Sequence, residues 1–366
     1  MIAFLSLVIW IYLVLLHGRF WSSGPELQPG TAADAAELPD VDIIVPARDE
    51  VQTIGPVIAS LAAQDYAGNF RVTLVDDNST DGTAAAAGSS PRLRILPGQP
   101  KPPGWSGKLW AVSQGVAAST APVLLLTDAD IVHDPRHLSA LVARLNTPRV
   151  ELVSEMVRLN CESFPERALV PAFVYFFQML YPFASVNDPN SKVAGAAGGT
   201  VLVRKSALDT IGGIEAIKGA LIDDCTLGKA IKGVGPIYLG HSGLAASVRP
   251  YPHFSDIWHM IARTAFTQLR YSLLLLLLTI LGLTVVWLVP VGAMVFGTGW
   301  VRASGAATCV LAAGSFIPTL RRYGRSPLWA LALPLIASFY MTATVGSALK
   351  HWFGGGSQWK NRAYGA

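Results

Sequence analysis

Residues 72–83 read VTLVDDNSTDGT, and this stretch decides the fold class of the chain. The apolar run from Val72 to Val75 ends in two adjacent acids, Asp76 and Asp77. Because carboxylates repel each other and are costly to bury, such a pair belongs at the open end of a buried strand. The stretch therefore predicts a strand of a sheet that is covered on both faces and has a polar edge.

Strand-like and helix-like segments alternate around this stretch. Predicted strands cover 41–46, 71–77, 93–96 and 122–130, and predicted helices cover 53–64 and 109–119. This alternation predicts an α/β fold with a mostly parallel sheet and helices on its faces. Polar clusters follow three of the strands, at 46–50, 76–77 and 128–130. Since the carboxyl ends of parallel strands meet at one edge, where ligands bind, we expect these carboxylates to line a single crevice.

The composition indicates a membrane protein. Hydrophobic residues make up 51% of the 366 residues and charged residues only 14%, whereas a soluble domain carries about 25% charged residues. About 20 apolar residues cross a bilayer, and apolar segments lie at 2–16, 272–291, 303–320 and 328–349. We therefore predict an N-terminal membrane anchor (1–21), a linker (22–40), a domain (41–271), C-terminal transmembrane helices (272–350) and a tail (351–366).

The distribution of charge predicts the orientation and restricts the partners. No Lys or Arg precedes the first apolar segment, whereas His17 and Arg19 follow it, so residues 17–271 are expected on the cytoplasmic side. No Asp or Glu follows Asp256, which suits contact with an anionic bilayer surface. The basic residues are dispersed around apolar spans, which argues against nucleic acid as a partner. The three cysteines are too few and too widely spaced for a disulfide framework or a zinc motif.

Several residues at the predicted crevice have the chemistry to bind a nucleotide and an ion. Asp128 and Asp130 form an Asp-x-Asp pair at a strand end, which suits Mg²⁺ or Mn²⁺, although a solvated loop can have the same spacing. Asp76 and Asp77 can accept hydrogen bonds from uracil or ribose. Lys108 opens a predicted helix, where it meets a phosphate or is an ordinary surface lysine.

Six motifs occur in a fixed order along the chain: PARDE (46–50), DDNSTDGT (76–83), G-K-x-x-A (107–111), TDAD (127–130), G-G-T-x-x-x-R-K (198–205) and DD (223–224). In this order they resemble the family 2 glycosyltransferases. The patterns HGRFW, FFQMLYPF and RTAFTQLRY further resemble the bacterial hopanoid- (hopene-) associated glycosyltransferases, relatives of ceramide glucosyltransferase. The resemblance implies a Rossmann-like GT-A catalytic domain on the cytoplasmic side of the inner membrane of a bacterium, in a multi-pass protein.

The resemblance also implies roles for individual residues. Donor-binding positions are Pro46, Arg48, Glu50, Asp76, Asp77, Lys108, Asp128 and Asp130, of which Asp128 and Asp130 hold Mg²⁺ or Mn²⁺ with the diphosphate. Asp224 is the general base, beside Asp223, which replaces a Glu usual in the family. Gly198 and Gly199, and Arg270 with Tyr271, are positions for the acceptor or the diphosphate. For the last pair, a basic helix end at the membrane surface is the alternative.

Two further features leave alternatives open. His133 follows the Asp-x-Asp pair and contacts a metal or phosphate, or makes a structural hydrogen bond. Residues 169–186 are mostly apolar, but a crossing there would separate Asp130 from Asp224, and Pro171 and Pro182 argue against a simple helix. We predict an interfacial or re-entrant segment that receives a lipid, with a buried core helix as the alternative.

The function implied is that of an inverting glycosyltransferase of the hexosyltransferase type. It would move a sugar from a nucleotide-sugar donor, with UDP as the expected nucleotide, to a lipid acceptor. The product would be a glycolipid, in hopanoid metabolism by the narrower resemblance. The alternatives are a polyprenyl-phosphate or polysaccharide glycosyltransferase and, outside enzymes, a catalytically silent membrane scaffold.

Overall fold

A computed structural model describes residues 1–29, 38–146 and 150–354, and the backbone of 358–359 and 362–363. The predicted linker (22–40) and tail (351–366) therefore lie partly outside the described residues. The described chain divides into two compact units. The sheet unit comprises Pro25–Asn160 and Ser185–Pro250, and the helical unit comprises Met1–Gly24, Cys161–Ala184 and the chain from Tyr251 through the last helix.

The strands are β1 (Glu26–Leu27), β2 (Val41–Ala47), β3 (Phe70–Asp76), β4 (Leu93–Pro97), β5 (Val123–Thr127), β6 (Ile131–His133), β7 (Leu152–Arg158), β8 (Thr200–Arg204), β9 (Ile237–Ser247), β10 (Gln358–Trp359) and β11 (Arg362–Ala363). The helices are α1 (Ile2–Leu15), α2 (Ile54–Ala62), α3 (Thr83–Ala86), α4 (Gly107–Ala117), α5 (His137–Asn146), α6 (Phe164–Leu180), α7 (Phe183–Asn187), α8 (Lys205–Thr210), α9 (Asp223–Lys232), α10 (Phe254–Gln268), α11 (Leu273–Leu283), α12 (Val289–Phe296), α13 (Gly299–Arg322) and α14 (Leu333–Phe353). Shorter helical turns lie at Phe20–Ser22, Ile214–Ile217, Thr284–Leu288 and Pro327–Ala332.

The sheet unit is built on one mixed sheet with the strand order β1-β9-β7-β8-β5-β2-β3-β4, and β6 pairs with β9. Strands β5, β2, β3 and β4 run parallel to one another. Strand β8 is antiparallel to both β5 and β7. The predicted mostly parallel α/β sheet is confirmed, and the predicted strands after residue 41 lie where the apolar runs placed them.

The central strands are apolar on both faces because helices cover them. All seven residues of β2 are buried, and the apolar middle of β3 is buried as well. Helix α4 buries Leu109, Ala111 and Val112 on its inner side. Gly115 of the same helix lies where an added Cβ would come within 2.5 Å of the Ile44 side chain, so only glycine allows this helix to approach β2 so closely. This packing fixes the start of α4 at the edge of the sheet.

The helical unit contains three helical segments that are long and apolar enough to cross a membrane. They are Leu273–Phe296, Gly299–Arg322 and Pro327–Phe353, and they overlap the predicted spans 272–291, 303–320 and 328–349 almost completely. Helix α1 is apolar but has only 14 residues. Large side chains of α11 such as Leu274 and Leu281 are exposed, as expected of a surface that faces lipid.

The segment 169–186 forms the last part of α6 and most of α7. Pro171 lies inside α6, so the expectation that it interrupts the helix is wrong, whereas Pro182 separates α6 from α7. Tyr175 of α6 is fully buried, and its hydroxyl lies 2.7 Å from Ser315 Oγ of α13. Tyr340 of α14 donates a hydrogen bond to the Leu169 carbonyl. Helix α6 thus packs inside the helical unit, and an interfacial position for it remains a prediction.

The predicted boundary at residue 271 differs from the observed division. Residues 161–184 and the chain from Tyr251 belong to the helical unit, although the sequence motifs place them within the domain of 41–271. Their apolar side chains pack against other helices of that unit, which is a tertiary preference that the motif order does not contain.

Candidate active site

The ends of β5, β2 and β3 lie side by side, as the parallel arrangement predicted; that the carboxylates after them line a single crevice stays a prediction. Residues 41–47 of β2 pair in register with 70–76 of β3, and 41–44 pair with 123–126 of β5. Asp76 is the last residue of β3, and Asp128 follows the last residue of β5. The acids therefore leave the sheet at the same edge.

Lys108 joins acids that are far apart in sequence. Its Nζ lies 2.8 Å from Asp128 Oδ1 and 3.0 Å from Asp223 Oδ2. The lysine sits in the first turn of α4, where the Ser106 side chain caps the helix by accepting a hydrogen bond from the Leu109 N–H. Although burial alone would lower the pKa of Lys108, the charges of Asp128 and Asp223 outweigh it and raise the pKa well above its ordinary value. The lysine is therefore a fixed positive charge at the centre of the site.

Asp224 lies in the same cavity as Lys108, Asp128 and Asp223, which has a volume of about 30 Å³. The backbone N–H of Cys225 donates a hydrogen bond of 2.7 Å to Asp224 Oδ1. Burial and then the neighbouring charge of Asp223 raise the pKa of Asp224 to about 6, although Lys108 opposes this. A carboxylate with such a pKa can both accept and hold a proton near neutral pH, which is the property of a general base.

Arg249 is a site residue that the sequence analysis missed. Its Nε lies 2.6 Å from Asp130 Oδ2, and its Nη2 lies 2.7 Å from Glu50 Oε1. These two charges raise the pKa of the guanidinium further, although burial opposes them. The sequence signal was weak: Arg249 lies two residues beyond β9, and β9 is not adjacent to β5 in the sheet. Asp130 and Glu50, by contrast, belong to motifs that the sequence analysis singled out, and their donor-binding roles stay predictions.

The acids that end β3 differ in their surroundings. Asp76 is half-buried and accepts a hydrogen bond from the Ser79 N–H. Asp77 is fully buried, with Arg48 Nη1 3.7 Å from its Oδ2 and donating to its backbone carbonyl. Pro46 lines the cavity that holds Lys108. Contact of these residues with a nucleotide stays a prediction.

Of the glycine pair, Gly198 lies directly against Asp224, whereas Gly199 faces Val157. A Cβ added to Gly198 would lie 3.2 Å from Asp224 Oδ2, and one added to Gly199 would lie 3.0 Å from Val157. Arg270 and Tyr271 belong to the helical unit, where both adopt positive φ values of 51° and 55°. The Tyr271 ring stacks on His351 with a centroid distance of 4.5 Å. Roles for both pairs in binding acceptor or diphosphate stay predictions.

The acids of the site suit a divalent ion held jointly with a substrate. Carboxylate oxygens are the donors that Mg²⁺ and Mn²⁺ prefer, and Asp128 and Asp130 each already lie beside a cationic side chain. Among the described residues, no three His, Cys, Asp or Glu side chains form a complete metal cage.

Comparisons with known proteins identify the family to which the chain is similar. The family described as glycosyl transferase family 2 matches residues 42–212. The chain is 32% identical over 119 residues to an N-acetylglucosaminyltransferase of Bradyrhizobium elkanii, a match to 31% of this chain and 63% of that protein. It is 31% identical over 123 residues to a second one, from Bradyrhizobium sp. (strain ANU 289), covering 32% of this chain and 77% of the relative.

Two further matches differ in extent. A dodecaprenyl-phosphate galacturonate synthase of Rhizobium johnstonii is 26% identical over 127 residues, which cover 33% of this chain and 36% of that protein. The mannosyltransferase PcManGT of Pyrobaculum calidifontis, solved with GDP-Man and Mn²⁺, superimposes with a TM-score of 0.58 at 20% identity and covers 96% of this chain and 98% of its own. The latter shows a shared fold over nearly the whole length. The motif order, the GT-A sheet and the matched relatives together establish that this chain belongs to glycosyl transferase family 2.

Proposed function

We propose that this protein is a membrane-anchored inverting glycosyltransferase of the hexosyltransferase type that moves a sugar from a nucleotide donor to a lipid acceptor. The observation that carries the proposal is the position of Lys108, with its Nζ 2.8 Å from Asp128 and 3.0 Å from Asp223, next to Asp224. This arrangement places a cation that can bind phosphate, one carboxylate of the Asp-x-Asp pair and a candidate general base around one cavity.

Each group has a role that its chemistry supports. The Asp224 carboxylate accepts the proton of the acceptor hydroxyl, an effect that contributes about 10²–10⁴-fold to such reactions. Lys108 neutralises charge that develops on the departing diphosphate. Attack by the acceptor from the face opposite the diphosphate inverts the anomeric carbon. Asp223, bound to Lys108, holds that lysine and raises the pKa of Asp224.

A divalent cation fits the carboxylates of Asp128 and Asp130. When bound, Mg²⁺ or Mn²⁺ supplies electrostatic stabilisation of the diphosphate. The Pyrobaculum calidifontis mannosyltransferase of similar fold was solved with GDP-Man and Mn²⁺, which supports a nucleotide-sugar donor with a divalent ion here. The narrower expectation of UDP rests on the family resemblance and on the acids Asp76 and Asp77 at the end of β3.

A lipid acceptor is supported by the apolar helices and by one relative. Three segments of the helical unit are long and apolar enough to cross a membrane. The Rhizobium relative is named for dodecaprenyl phosphate, a lipid acceptor. A hopanoid acceptor follows from the narrower resemblance, so hopanoids and polyprenyl phosphate are the two acceptors to compare. The basic residues that flank the apolar segments support a sheet unit on the cytoplasmic side of the inner membrane of a bacterium, with α1 as the anchor.

The test uses the full-length protein in lipid nanodiscs with Mn²⁺ and a panel of UDP- and GDP-sugars. We expect release of the nucleoside diphosphate and transfer of labelled sugar to an organic-extractable lipid, with inversion visible in the anomer of the product. Asp224→Asn and Asp130→Ala should lower the rate by about 100-fold or more. Asp209→Asn is the matched control, because Asp209 is an exposed acid that pairs only with Lys205 in the ion pairs described.

The outcomes separate the alternatives. Transfer to dodecaprenyl phosphate but not to a hopanoid polyol would assign the polyprenyl-phosphate reaction, and a water-soluble polymer product would assign a polysaccharide reaction. If the parent and both variants release the nucleoside diphosphate at the same background rate, the protein is not an enzyme of this kind. The catalytically silent scaffold would then be the better explanation.

A further inference from the structure

A chain of buried side chains leads from the glycine pair into the interior of the sheet unit. Thr127 Oγ1 donates a 2.8 Å hydrogen bond to the Gly199 carbonyl and lies 3.1 Å from His133 Nε2. His133 Nδ1 lies 2.8 Å from His137 Nδ1, and His137 Nε2 lies 2.7 Å from Glu155 Oε2. Each of the four side chains is at most 5% exposed. The proposed reaction uses none of them.

The direction of every bond in this chain follows from counting protons. A carbonyl only accepts, so the single hydroxyl proton of Thr127 is committed to Gly199. His133 Nε2 must then carry a proton and donate it to Thr127. Burial, followed by the charge of His137, lowers the pKa of His133 well below its ordinary value, so this ring is neutral and its Nδ1 is an acceptor. His137 Nδ1 therefore donates to His133.

The count leaves one proton between His137 Nε2 and Glu155 Oε2. The pair is an imidazolium beside a carboxylate, or a neutral imidazole beside a carboxylic acid, and its net charge is zero in both forms. Glu155 Oε1 is buried and accepts no hydrogen bond within the described part of the chain. A neutral pair of this kind avoids an uncompensated charge in the core.

This series of hydrogen bonds ends at the Gly198–Gly199 backbone, which lies against the general base Asp224. Ser154 fixes the neighbouring peptide from the other side: the Ala197 N–H donates to Ser154 Oγ at 2.8 Å, and Ser154 Oγ donates to the Ala197 carbonyl at 3.1 Å. Gly198 lies between these two anchored residues, and its Cα faces Asp224 Oδ2 closely enough that an added Cβ would come within 3.2 Å. A shift of the Gly199 carbonyl would therefore change the contact between Gly198 and Asp224.

We propose that Thr127, His133, His137 and Glu155 form a positioning network that holds the Gly198–Gly199 backbone against Asp224 and so aligns the base with the acceptor. The inference rests on the proposed function and adds positioning residues to it. These residues touch no substrate in this scheme. The alternative is that the network only stabilises the core.

The kinetic test compares isosteric and conservative variants of the full-length protein. Thr127→Val keeps the volume but removes both hydrogen bonds, and we expect kcat to fall about 10–100-fold, since small displacements of catalytic groups cost that much. The KM for the donor should stay within about twofold, because donor groups are untouched. Thr127→Ser and Glu155→Gln keep the donors and acceptors in place and should retain kcat within about threefold.

If the network only stabilised the core, the variants would change Tm and not kcat. If Thr127→Val keeps kcat within twofold of the parent, or if its loss of activity only follows a lower Tm, the positioning role is refuted. Glu155→Leu combined with His137→Leu removes the shared proton and both polar groups together. This double variant should fold and yet lose kcat, because His133 is then free to change tautomer.

A spectroscopic measurement tests the network without using activity. In protein labelled with ¹⁵N-histidine, and with His133 assigned through His133→Gln, we expect His133 as the Nε2–H tautomer. We also expect His137 to carry a proton on Nδ1. An Nδ1–H tautomer of His133 would overturn the inference even if the parent is fully active. An inactive parent with the expected tautomers would instead count against the proposed function.

Discussion

The ionisation of Asp224 predicts a specific pH dependence. Its pKa is raised to about 6, chiefly by burial and then by the charge of Asp223. A general base must be unprotonated, so activity should rise with pH through about 6 and level off above about 7. One pH unit below the pKa, at pH 5, about one tenth of the molecules carry the carboxylate form.

Two variants should shift the acid side of the pH–activity profile, which is its acid limb, in opposite directions. Asp223→Asn removes the negative charge that raises the pKa of Asp224, and a neighbouring charge is worth about one pH unit or more. At pH 5 about half of the Asp224 side chains would then be ionised, so activity relative to the variant's own plateau rises about fivefold. Lys108→Met removes a positive charge that lowers the same pKa, so its acid limb should move to higher pH.

The assay measures release of the nucleoside diphosphate between pH 4.5 and 8.5 at saturating donor and constant ionic strength, so that kcat is compared within each variant. Samples held at pH 5 and returned to pH 7 check that the fold survives. Asp209→Asn serves as the control that removes an exposed charge and should leave the profile unmoved. An acid limb that stays in place in both variants, or moves the same way in both, would refute the assignment of Asp224 as the titrating base.

Three further predictions concern packing and charge. Gly198→Ala should lower kcat about tenfold by crowding Asp224, whereas Gly219→Ala, whose Cβ would have its nearest neighbour at 3.5 Å, should not. Arg249→Met should lower the unfolding temperature, since losing its two ion pairs costs about 1–3 kcal/mol. Added Mn²⁺ should restore part of the lost stability of this variant, and equal unfolding temperatures with and without the ion would contradict this. Tyr175→Phe should cost about 1 kcal/mol, read as a lower unfolding temperature in detergent, because the hydroxyl bonds a buried serine.

Part of the candidate site was predictable because some of its acids end or follow apolar strands. An apolar run that ends in acids marks the carboxyl end of a buried strand, and parallel pairing then brings Asp76 and Asp128 to one edge. Arg249 was not predictable in this way. It follows β9, which reaches the site through β6 and not through adjacency with β5, and a lone arginine carries no motif of its own.

The helical segments also separate what the sequence could predict from what it could not. Hydropathy located the three long apolar helices, since length and composition suffice for that. It did not assign residues 161–184 to the helical unit, because an apolar helix can pack against a sheet or against other helices with the same sequence pattern. Pro171 likewise lies inside α6, although proline is disfavoured in the interior of a helix.

The sequence by itself determined the α/β fold class, the apolar spans and the identity of the acids at the strand ends, because these depend on local patterns of period and polarity. Only the tertiary structure decided which charges meet: Lys108 between Asp128 and Asp223, Arg249 between Glu50 and Asp130, and the proton-ordered chain from Gly199 to Glu155. The physical reason is that electrostatic and hydrogen-bond partners act over a few ångströms of space. Distance along the chain does not encode that proximity until the sheet has formed.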